Sequence, residues 1–401
     1  MKNDVLRNKI LSVVAAALRS AALLCATGSL MQTFLNVLGF SQSEIYIHST
    51  ALQAANVLTI LLGARFADRG NLMKRSALVV VFLGGLFAAY LPLCLTRSTG
   101  PVAFLLLIAV SVAQAIFTAL HTVCEYKIPY FIYRMEDYGG ITALSGIITA
   151  GVSFSVGALM TALSAHFDYV ILMLFAFLIS LLFMLAAALM QAKMHSLIDM
   201  EAVQENGKGE KKRVPLIDVF RHPAFAQLCV AHLFRGFAGG VINVLAVVAL
   251  GIGFSATVTS AMVSVSSVAM LAACTLYGLS ARHIHPRFVI FAGSVMILLL
   301  PTLFLIESPI LFLAVYAIIF FGRTLVDYAV PTAMVYVVPV EIAGPYNAWR
   351  MVLNNGGMLL STAVAGAIAN DVVLIWIAFG TSIVSGLFYL LAGVMRRRVR
   401  P

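Results

Sequence analysis

Glu125 and Asp327 are the carboxylates set deepest in apolar sequence, and each keeps the same company. His121, Glu125, Tyr126 and Pro129 recur 202 positions later as Arg323, Asp327, Tyr328 and Pro331. A basic group four residues before an acid shares its helix face, so His121–Glu125 and Arg323–Asp327 are spaced to pair. An ionised group in hydrocarbon costs roughly 2.5–3.5 kcal/mol, so groups of this kind face a polar chamber and mark a function. Two chemistries are on offer. A carboxylate that gains and loses an arginine neighbour can exchange a proton, which makes Glu125, Asp327 and the adjacent His121 the proton-handling candidates. Guanidinium forks suit carboxylate or phosphate, which makes Arg19, Arg235 and Arg323 the candidates for gripping an anion.

Arg19 and Arg235 enter through depth. At about 1.5 Å per residue, Arg19 lies about 14 Å past Ile10, and Glu125 lies somewhat less than about 17 Å before Glu136. Arg235 and Asp327 fall at similar distances from Pro223 and Pro339, so all four share one layer, and Arg19–Glu125 and Arg235–Asp327 are expected as pairs. Arg19, Lys127, Arg235 and Arg323 against Glu125 and Asp327 leave an excess of about two positive charges, which favours an anion. Tyr126, Tyr328, Gln32 and Asn243 are the expected neutral contacts to substrate, with Gln53, Asn56, Gln114, Asn354 and Asn355 as further polar positions. The competing reading is that these groups only neutralise one another and join helices. A static buried pair is a poor net stabiliser, however, so eight ionisable groups, these seven and His232 three residues before Arg235, ask for more than that.

The elements that position these residues follow from composition. Of 401 residues, 62% are hydrophobic and 10% charged, and mean hydropathy is +1.01. Each crossing needs roughly 20 apolar residues, and the sequence reads as twelve spans: 10–38, 44–67, 76–95, 102–131, 139–164, 168–191, 224–250, 255–280, 287–306, 309–337, 345–369 and 372–394. The net charge of +10 gathers in every second loop, while the alternate loops hold essentially Arg97. That distribution argues for membrane topology rather than nucleic acid, and puts both termini in the cytoplasm. The expected organisation is a six-helix bundle over 1–191, a Gly- and charge-rich linker over 192–222, and a second six-helix bundle over 223–401. The five cysteines lie inside spans without metal-like spacing. No metal or cofactor is expected.

The halves also match at Arg19 and Arg235, and at Gly39-Phe40 and Gly253-Phe254. With this duplication stand Gly63, Asp68, Arg69 and Arg75 in the basic turn after the second span. Together these features resemble the major facilitator superfamily over essentially the whole chain. The resemblance implies two pseudo-symmetric six-helix bundles, alternating access around a central cavity, and a conformational latch at Gly63, Asp68, Arg69 and Arg75. It also implies that spans 1, 4, 7 and 10, which carry the deep charges, line that cavity.

The expectation is a transporter of a small organic anion, carboxylate or phosphate, driven by proton-coupled uptake. The alternatives are a proton-coupled exporter of drugs or metabolites and a sugar symporter. Arg early in span 4 and a Gly-Pro step in span 5, usual in the resembling exporters, are missing at 109–114 and 151–157. An enzyme is not expected, because no nucleophile or metal cluster stands near a membrane face. The partners expected are the substrate, protons and the bilayer of a bacterial cell membrane, with the chain acting as a monomer.

Overall fold

Apolar runs of this length have one way to satisfy their backbone in hydrocarbon, which is to bond within the segment. Every regular element among the described residues is accordingly a helix. The computed structural model describes residues 2–63, 66, 71–125, 128, 132, 135–194, 223–280, 284–337, 343–368 and 370–395. The first half of the chain forms α1 (Lys2–Ala26), α2 (Gly28–Leu38), α3 (Gln42–Gly63), α4 (Leu72–Ala88), α5 (Leu91–Thr96), α6 (Pro101–Glu125), α7 (Met135–Ser164) and α8 (Tyr169–Ala192). The second half forms α9 (Pro223–Asn243), α10 (Leu245–Ile252), α11 (Ala256–Ser280), α12 (Pro286–Ile297), a 3-10 turn at Leu300–Leu305, α13 (Pro309–Val337), α14 (Ala343–Ile368) and α15 (Asp371–Met395). Eleven stretches among the described residues are long and apolar enough to cross a membrane. The remaining expected span is α3, 22 residues long.

Four expected spans are each built from two pieces, and the breaks fall in matching spans of the two halves. Spans 1 and 7 are interrupted at Thr27 and Val244, and spans 3 and 9 at Ala89–Tyr90 and Leu298–Leu299. Pro92 and Pro301 sit in the first turn after the latter two breaks, where a missing N–H does no harm. Spans 1 and 7 also end alike. Gly39 and Gly253 both take φ 105, a left-handed conformation costly for any residue with a Cβ. Gly39 N–H donates to Asn36 O at 2.9 Å and Phe40 N–H to Leu35 O at 3.0 Å. Gly253 and Phe254 repeat the bonds to Leu250 and Ala249, each at 3.0 Å.

The chain forms two compact units, Met1–Phe40 with Ala54–Lys212 and Ser41–Gln53 with Arg213–Pro401. The first part of α3 therefore groups with the C-terminal helices. In the first unit α8 packs against α1 and α4. Phe177 of α8 meets Phe34 edge-on at 5.6 Å and stacks on Tyr90 at 5.0 Å. In the second unit α9 packs on α14 and α15, and α13 on α11 and α12. Lipid tails supply no net drive for helices to associate, so close backbone approach has to. At the α9–α14 crossing, a Cβ on Gly236 would overlap the backbone of Asn354, and one on Gly357 the backbone of Leu233 and Phe237. The crossing brings Arg235 of α9 and Asn354 of α14 to one place. Large apolar side chains such as Leu105, Leu182, Leu279 and Ile310 stay exposed, as lipid-facing residues do.

Candidate functional site

Each unit holds one cluster of the residues singled out above, and each cluster is described within its own unit. In the first, α1 carries Arg19 and the last turn of α6 carries His121 and Glu125. Arg19 Nη2 is paired with Glu125 Oε1. Its Nη1 lies 3.2 Å from His121 Nε2, and His121 Nδ1 lies 3.6 Å from Glu125 Oε2. A guanidinium has only donors, so His121 Nε2 must accept and the ring proton belongs on Nδ1, facing the carboxylate. The imidazole is thereby held neutral with its tautomer assigned. Its Nε2 also contacts the Gln191 amide at 3.4 Å, and Gln191 Nε2 donates to Ser76 Oγ at 2.7 Å. The cluster runs from buried Ser76, Gln191 and His121 out to Glu125, whose side chain is 46% exposed.

In the second unit α9 carries Arg235 and, at its end, Asn243, while α13 carries Arg323 and Asp327. Arg235 Nη2 is paired with Asp327 Oδ1. Arg323 approaches the same carboxylate, with Nε 3.8 Å from Oδ2, and donates through Nη1 to Asn243 Oδ1 at 2.6 Å. One acid is thus shared by two arginines. All three border a cavity of about 130 Å³ inside this unit, together with Asn354 and serines from α12 and α15. Asn354 Oδ1 is buried there without a hydrogen-bond partner among the described residues.

The remaining candidates are dispersed. Gln32 is buried in α2, beyond the Thr27 break. Tyr328 does not border the cavity: it is 41% exposed and hydrogen-bonds Cys274. Gln114 has its amide oxygen taken by the Tyr90 hydroxyl at 2.7 Å, inside the first unit. His232 faces Tyr389, with Nδ1 2.7 Å from the hydroxyl. In the expected latch, Gly63 ends α3 and Arg75 donates to Phe66 O at 2.7 Å while covering its ring at 4.9 Å. Tyr126, Lys127, Asp68 and Arg69 lie outside the described residues.

Two sets of contributors went unnoticed in the sequence. Gln191 and Ser76 complete the first cluster, although Gln191 reads only as the last residue of the sixth span. Ser382 and Ser385 line the cavity, and their three-residue spacing on one face of an apolar span was the available signal.

Comparison with known proteins bears on the whole chain. The profile of the Major Facilitator Superfamily matches residues 10–362. A crystal structure of a D-xylose-proton symporter superposes with a TM-score of 0.71 at 12% identity, covering 99% of this chain and 98% of that one. A bacterial homologue of the iron transporter ferroportin, in an inward-facing state, gives 0.73 at 12% identity over 97% and 99%. The nucleoside transporter NupG gives 0.70 at 15% identity over 97% and 99%. At these identities the likeness is one of fold. No curated protein sequence matches.

Proposed function

The chain belongs to the major facilitator superfamily of secondary transporters, and on that premise we propose that it imports a small organic anion, with protons as the coupling ion. The observation that carries this reading is the second cluster, where two arginines share one carboxylate beside a cavity. An entering carboxylate or phosphate competes with Asp327 for the guanidinium N–H groups. An acid relieved of its arginine takes up a proton more readily, so anion arrival and protonation become linked. Glu125, His121 and Arg19 supply the same chemistry in the first unit, where Nδ1–H of a neutral imidazole already faces the carboxylate. Proton coupling is known on this fold from the xylose symporter, and at 12% identity that likeness speaks for the architecture only.

Alternating access moves the bound anion, Gly63, Asp68, Arg69 and Arg75 act as the latch, and the protein works as a monomer in the cell membrane. The test is uptake into proteoliposomes of labelled organic acids, sugars and sugar phosphates, with and without an imposed pH gradient. Saturable, gradient-driven uptake of an organic acid supports the reading. Uptake of neutral sugars alone, or proton-driven movement of apolar drugs in the opposite direction, overturns it.

A further inference from the structure

The cavity inside the second unit has a donor and acceptor pattern more specific than its charge. Ser294 Oγ–H donates to Ile290 O at 2.8 Å, Ser382 to Ala378 O at 2.9 Å and Ser385 to Ala231 O at 3.1 Å. A hydroxyl whose proton is committed to a carbonyl shows only lone pairs to whatever lies beside it. The three serines therefore add acceptors to a wall that already holds Asp327 and the unpartnered Oδ1 of Asn354. Arg235 and Arg323 supply the donors. Each guanidinium has five N–H groups, and the bonds to Asp327, Asn243 and the Tyr389 hydroxyl leave several of them available.

A bare halide or a fully deprotonated oxyanion satisfies the arginines but sets its own lone pairs against those of the serines and Asn354. A ligand that answers both sides carries a carboxylate and, next to it, an O–H that donates. Size narrows the class further. A cavity of about 150 Å³ takes a molecule of roughly six heavy atoms such as benzene, and this one is about 130 Å³. From these observations we infer that the cavity receives a 2-hydroxycarboxylate group, its carboxylate on Arg235 and Arg323 and its hydroxyl on the serine and asparagine oxygens. The group arrives either as a whole two- or three-carbon acid or as the end of a longer sugar acid. The inference rests on the anion reading above and names its substrate class.

The test is competition against labelled lactate on the purified full-length protein, using glycolate, acetate, propionate, gluconate and inorganic phosphate. Lactate and glycolate should compete about tenfold better than propionate and acetate, the equivalent of one net hydrogen bond. In Ser382→Ala/Ser385→Ala the lactate-to-propionate ratio should fall toward one. Because it is a ratio on a single sample, partial misfolding does not imitate it, and the wild-type ratio stands even if the variant is lost. Preference for gluconate over lactate supports the longer acid as source, and the reverse supports the short one. Equal binding of hydroxy and deoxy acids, or a preference for phosphate, overturns the inference while leaving the anion reading intact. Binding of none of these anions overturns both.

Discussion

The two halves begin from one pattern, and among its described ionisable positions the charge differs at His121 in the first and Arg323 in the second. In the first unit a neutral imidazole ties the Arg19–Glu125 pair to Gln191 and Ser76, and Glu125 faces one arginine. In the second, position 323 adds another guanidinium, so two positive charges face Asp327 and a cavity opens beside them. Among the described residues the first cluster is balanced and the second carries an excess of one positive charge. On the proposed function, the cationic half holds the anion and each half contributes one acid, Glu125 or Asp327, to proton exchange.

The largest expected effects come from the carboxylates. Glu125→Gln and Asp327→Asn should each abolish gradient-driven accumulation while exchange stays measurable. Only Asp327→Asn should also tighten anion binding, since it removes the competitor for two arginines. If accumulation survives both changes, neither acid carries the proton. Next are the arginines. Arg235→Lys should weaken anion binding by about 10- to 100-fold, the range for losing charge-assisted hydrogen bonds, and Arg19→Lys by much less. Equal losses would erase the distinction between the halves. Exchanging the divergent position is the most direct challenge. Arg323→His should cost about tenfold in anion binding, whereas His121→Arg should destabilise the first unit by about 3–5 kcal/mol, because the new charge has no second acid. Thermal unfolding of purified protein separates the two cases.

Smaller effects concern packing and the loops. Gly357→Ala should cost about 1–3 kcal/mol through overpacking at the α9–α14 crossing, while Gly278→Ala, with open space around it, should be neutral or slightly stabilising. The smallest involve Asp168, the N-cap of α8. It accepts from Val170 and Ile171 N–H at 2.8 and 3.2 Å and from Arg97 at 3.0 Å. Desolvation raises its pKa, but the Ile171 N–H, Arg97 and Val170 N–H outweigh that and hold it below its ordinary value. A depressed native value means a stabilisation present at neutral pH and lost as pH falls below about 4. Arg97→Ala should therefore cost under about 1 kcal/mol at pH 7. Any difference should vanish in acid melts.

Much of this was legible because charge in apolar sequence stands out. The Arg19–Glu125 and Arg235–Asp327 pairs, and the common ends of spans 1 and 7 at Gly39 and Gly253, could be read from spacing alone. What escaped was anything that needs a face to be assigned. A membrane helix is apolar all round, so periodicity does not say which side looks inward. Ser294, Ser382 and Ser385 look like filler until a cavity is seen between their helices. Tyr328, beside Asp327, looked like a contact and points elsewhere. Gln191 reads only as the polar end of the sixth span, although its amide reaches back to His121. The break at Thr27 was hidden for a related reason: Ala26, Thr27 and Gly28 continue a small-residue stretch with no proline to mark the stop.

That break has a mechanical consequence. Thr27 is extended and Gly28 left-handed, so α1 and α2 are separate rods meeting at a joint rather than one stiff lever. Both rods rest on α8: the Tyr169 hydroxyl reaches Leu30 O at 3.4 Å and Phe177 abuts Phe34 in the second, and Ser180 Oγ donates to Ala22 O at 3.4 Å in the first. The first rod bears Arg19. A twist of α1 about Arg19 would be absorbed at Thr27 and Gly28 before it reached α2.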